Sequence, residues 1–337
     1  MCDQIPLEER PQSQTYKRLQ DALAEKTQIQ SASDADIAAR IAPTGTVPAN
    51  SPQPPTTIAT ADNHDSATTQ PAVSGLEIQL LFPGSRSQGQ ADAIANPPVG
   101  CELVTLHAPG GKKIVAIFGK ATGSRPATTR PSILYFYGNG TCMAYSLDVF
   151  NRFRGLGFNV IMADYPGYGM SEGSASESGC YATADAQYDY LLTRSDVDKG
   201  RMVSAGWSLG AAVAIDLASR RRVAGLATFS AFTNIADMSR TLLKGLPLVI
   251  PLSSRFDNLA KIGSVSVPIF MAHGTQDQLV PPEMLDQLAK SAKTAVTTVR
   301  VNGAAHNDIF QRGGNSLYQK VKAYVDGLSA VAPTTRP

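Results

Sequence analysis

Cysteine is scarce: four in 337 residues, Cys2, Cys101, Cys142 and Cys180. Spacing that wide supplies neither the paired ligands of a zinc motif nor the framework of a small disulfide-stapled fold. Charge is scarce too. Charged residues make up 17% of the chain and balance to a formal +2. With no long basic run, that excludes the electrostatic footprint of a nucleic-acid binder. Long apolar runs are missing. No segment reaches the roughly 18 residues of a membrane-spanning helix, and the longest candidate, residues 246–252, is interrupted by Pro247 and Pro251. Histidine occurs four times, so the search for a catalytic base is brief.

What remains is a hydrophobic content of 43%, enough for a sizeable core if the polar stretches lie outside it. Those stretches come first. In residues 1–42, Tyr16, Leu19 and Leu23 have the spacing of a short amphipathic helix. Residues 43–75 are rich in Pro, Thr, Ser and Ala and cannot bury enough apolar area to offset their ordering entropy. Together, residues 1–75 read as a disordered region and linker. His64, inside it, reads as solvated. A Met-Cys start is what remains when a lipoprotein signal is cut away and a start codon restored. On that reading Cys2 carries a membrane tether and the protein sits in the cell envelope. The plain alternative is a cytoplasmic N-terminus with a chance cysteine. Residues 76–99, with Leu76, Ile78, Leu80 and Leu81, are expected to dock on the domain edge.

The folded domain is expected over residues 100–328, with a flexible tail at 329–337. Residues 102–107 and 112–119 read as a hairpin joined by Pro109-Gly110-Gly111. Residues 132–137 form a near-continuous apolar run suited to a buried strand. Strands at 159–163, 201–205, 225–229, 269–272 and 297–301 then alternate with helices at 144–155, 180–193, 211–218, 282–292 and 315–328. That alternation predicts an α/β fold, a mostly parallel sheet with helices on both faces. Sites in such folds sit at the carboxyl ends of the strands.

The chemistry gathers there. Gly206-Trp207-Ser208-Leu209-Gly210 fits Gly-x-Ser-x-Gly, a strand-to-helix turn that lifts a serine clear of the sheet. The glycines omit Cβ atoms where strand and helix approach. A serine hydroxyl needs a base to take its proton and a third group to orient that base. His306 follows the strand ending at Val301 and is the candidate base; His273 and His107 read as structural. Asp277, after the strand at 269–272, is the candidate acid. Asp308 and Glu283 are its rivals, although Asp308 is too near His306 in sequence to orient the ring easily. An oxyanion needs two N–H donors. One is expected from Leu209, at the helix N-terminus. The other is expected from Gly138-Asn139-Gly140, with Asn139 favoured and Gly140 the alternative. Residues 164–171, Asp-Tyr-Pro-Gly-Tyr-Gly-Met-Ser, read as a supporting loop.

Six blocks together resemble the α/β-hydrolase superfamily, and within it small serine hydrolases of the ABHD type without a large cap. They are Tyr137-Gly138-Asn139-Gly140, Asp164–Gly169, Gly206–Gly210, Phe256-Asp257-Asn258-Leu259, His273-Gly274-Thr275-Gln276-Asp277 and Ala305-His306-Asn307-Asp308. The resemblance implies an α/β-hydrolase fold with Ser208 as nucleophile, Asp277 as acid and His306 as base, acting on carboxylic esters or thioesters. It implies no metal and no organic cofactor. The family usually carries His where this chain has Tyr137. A peptidase or amidase, and a hydrolase fold kept only for binding, are the rival readings. Residues 230–268 leave room for a small lid at most. Leu248 and Val249 within it, with Trp207 beside the serine, are the candidate contacts for a small-molecule or lipid acyl substrate.

Overall fold

The apolar runs of the sequence become the middle strands of one sheet. The computed structural model describes residues 75–87, 97–108, 111–122, 130–242 and 252–331. Cys2, His64, the expected helix near Tyr16, and Leu248 and Val249 fall outside them. The described residues all belong to one unit, Val73–Pro337.

The strands are β1 (Cys101–His107), β2 (Lys113–Gly119), β3 (Ser132–Phe136), β4 (Asn159–Ala163), β5 (Met202–Trp207), β6 (Gly225–Phe229), β7 (Ile269–Gly274) and β8 (Val296–Val301). They lie in the order β1-β2-β4-β3-β5-β6-β7-β8. The first two form the expected hairpin, β2 runs antiparallel to β4, and every pair from β4 to β8 is parallel. Every residue of β3, β4, β6 and β7 is buried, as strands covered on both faces must be. β8 lies at the sheet edge with a mixed pattern of exposure.

Helices Leu147–Gly155 and Ile309–Asp326 pack together on one face. Phe153 joins them to the sheet, its ring 5.5 Å from Tyr135, 6.4 Å from Phe229 and 5.9 Å from Tyr318. Helices Glu177–Thr193, Leu209–Arg220, Asn258–Ile262 and Glu283–Ser291 pack in series over the other. Leu209–Arg220 is the most enclosed, with Leu209 through Ala218 all buried.

The chain leaves β3 for β4 on one side and crosses back to β5 on the other. The carboxyl ends of β3 and β5 therefore flank the switch point where such sheets hold ligands.

Several boundaries differ from the sequence reading. β5 runs two residues beyond 205, because Gly206 and Trp207 keep pairing with Thr228 and Phe229 of β6. The expected helix at 144–155 is a 3-10 turn, Met143–Ser146, leading into Leu147–Gly155. The helix expected from 180 begins at Glu177, where Ser176 Oγ accepts the Gly179 N–H at 3.0 Å. The last helix expected from 315 is preceded by a short helical stretch from Ile309, and the two are separated at Gly314, whose φ of 48° and ψ of −148° are not helical. Ile235–Leu242 and Asn258–Ile262 are helices that residue periodicity alone did not mark. The segment before the hairpin holds a short helix, Gly75–Leu81, and a 3-10 turn, Pro83–Ser87.

Candidate active site

Ser208 occupies the turn between β5 and helix Leu209–Arg220 with φ 56° and ψ −118°. A non-glycine residue held there costs on the order of 1–3 kcal/mol, and the surroundings must fix it. They do. The Ser208 N–H donates to Phe229 O at 2.9 Å, and Ser208 O accepts from Ala211 N at 2.9 Å. A Cβ on Gly206 would fall 2.0 Å from Gly210 O, and one on Gly210 would fall 2.0 Å from Phe136 O. Both glycines are therefore required by the close approach of strand and helix. Ser208 keeps partial exposure while its neighbours Leu209 and Gly210 are buried.

His306 comes to the serine on the loop after β8. That loop is knitted to the one after β7: Gln276 N–H donates to Ala304 O at 2.9 Å, and a Cβ on Gly274 would fall 2.3 Å from the same oxygen. His306 Nε2 lies 2.8 Å from Ser208 Oγ, and Nδ1 lies 2.8 Å from Asp277 Oδ2. A carboxylate only accepts, so Nδ1 carries the proton, and neutral Nε2 accepts from the serine hydroxyl. Asp277 is itself fixed, its Oδ1 accepting from Leu279 N at 3.1 Å and Val280 N at 2.8 Å. Burial alone would raise the Asp277 pKa. Electrostatic attraction to the His306 ring and hydrogen bonds from His273, His306 and the Val280 N–H outweigh it, holding the carboxyl well below the usual range.

The rival acids lie elsewhere in the local structure. Asp308 Oδ1 takes the Ala305 N–H at 2.7 Å and its Oδ2 pairs with Arg312. Glu283 opens helix Glu283–Ser291 in an exposed position. His107 is exposed on the edge strand β1. His273 is wholly buried, with Nε2 2.9 Å from Val280 O and 3.4 Å from Asp277 Oδ2. It packs inside the fold against the loop that carries Asp277.

After β3, Tyr137 takes the place where histidine is usual. Its hydroxyl donates to Asp164 Oδ1 at 3.0 Å and accepts the Tyr165 N–H at 3.2 Å. Tyr165 returns its own hydroxyl to Tyr137 O at 2.9 Å. Asp164 also accepts from Met143 N and Met170 N, at 2.7 and 2.9 Å. Burial raises its pKa, and those donors and the Tyr137 hydroxyl temper the rise. A sequence of Tyr-Gly-Asn-Gly followed by Asp-Tyr-Pro-Gly-Tyr held the signal for this pair, but not the pairing.

Gly140 has φ 79° and donates its N–H to Asn139 Oδ1 at 2.9 Å. Of the two candidate donors after β3, Gly140 is thus engaged within the loop. A Cβ on Gly138 would fall 2.5 Å from the Trp207 ring. That ring lies 5.6 Å from the His306 ring, and Trp207 Nε1 donates to His306 O at 3.3 Å. Trp207 therefore stands between the loop after β3 and the histidine. Among the described residues, no group of three or more His, Cys, Asp or Glu is placed to hold a metal ion.

Carboxylate, imidazole and hydroxyl in series can draw a proton from the hydroxyl and return it to a leaving group.

Known proteins share this architecture. The family model described as dienelactone hydrolase family matches residues 169–325. An uncharacterised Mycobacterium tuberculosis protein is 33% identical over 246 residues, covering 73% of this chain and 85% of its own. The alpha/beta hydrolase domain-containing protein WAV2 of Arabidopsis thaliana is 31% identical over 254 residues, 70% of this chain and 80% of its own. The Pyrococcus furiosus esterase Pf2001 superposes with a TM-score of 0.57 at 18% identity, covering 68% of this chain and 92% of its own; that likeness is one of fold.

Proposed function

The chain belongs to the α/β-hydrolase superfamily, and from that membership we propose that it is a serine hydrolase that cleaves carboxylic esters or thioesters through a covalent acyl-enzyme. The observation that carries the reading is the series Ser208–His306–Asp277, 2.8 Å at each step, behind a serine held in a strained backbone conformation. The esterase named among the structures of like fold is consistent with it.

In this mechanism Ser208 Oγ attacks the acyl carbonyl as His306 Nε2 takes its proton. Asp277 holds the ring and stabilises its charged form. The N–H groups of Leu209 and Asn139 receive the oxyanion of the tetrahedral intermediate. His306 then gives its proton to the leaving oxygen or sulfur. Water, deprotonated by the same nitrogen, attacks the acyl-enzyme and releases the acid and Ser208. Partial exposure of Ser208 beside enclosed partners suits a site that admits substrate from one side.

The test is hydrolysis of p-nitrophenyl esters from acetate to palmitate by wild type and Ser208→Ala. The expected result is a loss of about ten-thousandfold or more in kcat in the variant, with the chain-length profile separating a small-ester pocket from a lipid-acyl site. Unchanged activity in Ser208→Ala removes the serine from the mechanism. Cleavage of amide but not ester substrates moves the reading to an amidase.

A further inference from the structure

The helix Gly75–Leu81 and the turn Pro83–Ser87 precede the sheet in sequence but end up against three of its loops. Phe82 is fully buried, its ring 6.1 Å from that of Phe256. Glu77 is almost fully buried. Its carboxylate accepts from Ser253 N at 2.9 Å, Ser254 N at 2.7 Å and the Ser253 hydroxyl at 2.8 and 2.9 Å. A buried carboxylate with that many donors is an anchor, since losing them would leave a charge unsatisfied.

From this anchor the segment reaches the loop after β3. The Asn139 side-chain Nδ2 donates to Leu81 O, while Asn139 Oδ1 accepts from Gly140 N and from the Tyr168 hydroxyl, each at 2.9 Å. Gly84 lies flat on the same structure: a Cβ there would fall 2.2 Å from Tyr168 Cε1 and 2.7 Å from Thr141 O. Ser87 closes the arrangement, its Oγ accepting the Gly169 N–H at 3.0 Å and donating to Gly84 O at 2.6 Å. The amide of Asn139 is thus gripped on both ends, its Nδ2 by Leu81 O and its Oδ1 by the hydroxyl of Tyr168, against whose ring Gly84 packs.

We propose that residues 75–87 act as a brace for the oxyanion loop, with Asn139 as the positioning residue through which Leu81 O and the Tyr168 hydroxyl aim the Asn139 backbone N–H. The proposal rests on the serine-hydrolase reading above. Its physical reason is preorganisation. An oxyanion donor stabilises the transition state only if it is already aimed when charge develops, and a misplacement of about 1 Å costs on the order of a hundredfold. The loop itself is rich in glycine, with Gly138 and Gly140 on either side of Asn139, and holds its shape through contacts from outside. The Asn139 side chain supplies those contacts through Leu81 O and the Tyr168 hydroxyl.

The test uses the full chain and a fluorophosphonate probe, whose phosphonyl oxygen enters the oxyanion site as Ser208 Oγ bonds phosphorus and fluoride leaves. Asn139→Asp keeps the acceptors for Gly140 and Tyr168 but loses the donor to Leu81 O. Tyr168→Phe loses the opposite grip. Phe82→Leu loosens the segment at its contact with Phe256 and is gentler than truncation. The expected result is labelling slowed by about 10- to 100-fold in Asn139→Asp, and slowed in the same direction in the other two. Inhibition by an aryl trifluoromethyl ketone, which forms a tetrahedral oxyanion, should weaken by the same factor while KM for p-nitrophenyl acetate stays within about twofold, a split that a general loss of folded protein does not give. Labelling and ketone inhibition unchanged in all three variants, with Ser208→Ala unreactive, overturn the brace and leave the hydrolase reading intact. Absence of labelling in the wild type overturns the hydrolase reading, and the brace with it.

Discussion

The Tyr137 hydroxyl donates to Asp164 Oδ1 at 3.0 Å, and both groups are shut away from solvent. The contact ties the end of β3 to the loop after β4, so the start of the loop after β3 is pinned from the side opposite Ser208. Tyr137→Phe keeps the ring packing against Tyr165, whose centroid lies 4.7 Å away. It removes a donor from a buried carboxylate and leaves the Tyr165 N–H without that acceptor. The expected cost is about 1–3 kcal/mol, a fall in Tm of roughly 3–10 °C for a domain of this size. Thermal melts of the two proteins check it. An unchanged Tm would mean that water replaces the hydroxyl without loss.

Glu77 gives a prediction in pH. Burial would raise its pKa, but hydrogen bonds from the backbone and side chains of Ser253 and Ser254 outweigh it and hold the value below 4.5. A carboxyl lowered on folding contributes stability above its unfolded value and loses it as pH falls through the folded one. The Tm advantage of wild type over Glu77→Gln should therefore be full between pH 6 and 8 and narrow as pH drops below about 4.5. Melts across that range measure it. An advantage that widens in acid would reverse the sign and contradict the hydrogen bonds seen here.

Much of this was legible in the chain because the constraints are local. Ser208 needs a positive φ, and the glycines two residues to either side of it mark where strand and helix touch. Buried parallel strands must be apolar throughout, so β3, β4, β6 and β7 read directly as runs. The order Ser208, Asp277, His306 picked out the three side chains that the fold brings together. Asp308, nearer in sequence, is turned to its own loop and to Arg312. What was not legible depends on backbone groups and long separations. Docking by the segment at 75–87 was expected from its apolar residues, but not the means, since Leu81 O and the N–H groups at Ser253 and Ser254 carry no side-chain pattern. The end of β5 at Trp207 is set by pairing with β6, not by its own composition. The Tyr137–Asp164 contact spans two strands, and neither residue alone announces the other.

His273 offers a third prediction. Its Nε2 faces Val280 O, which only accepts, so that nitrogen carries the proton, and Asp277 Oδ2 lies 3.4 Å from it. The ring thereby holds the Asp277 loop at Val280 and adds a second dipole toward the carboxylate. His273→Leu removes both. The expected result is a fall in kcat of roughly tenfold, the worth of one hydrogen bond to a charged group, with KM little changed. His273→Gln, which keeps a side-chain N–H donor, should recover part of the loss. Equal losses in the two variants would assign His273 to packing alone.

Trp207 is the chain's single tryptophan, and its ring lies 5.6 Å from that of His306. Its Nε1–H also donates to His306 O, so the indole senses both the charge and the position of the histidine. Indole emission responds to a nearby cation and to local polarity. Phosphonylation of Ser208 replaces the Oγ–H bonded to His306 Nε2 with an ester oxygen that cannot donate. The histidine is then free to take a proton and change its partner. Intrinsic fluorescence, excited selectively at the indole, should therefore change in step with covalent labelling and with the same rate constant, and stay constant when the probe is added to Ser208→Ala. Trp207→Phe should be silent to the same excitation while still being labelled. A steady signal during complete labelling of the wild type would place the indole farther from the reacting groups than the contacts with His306 require.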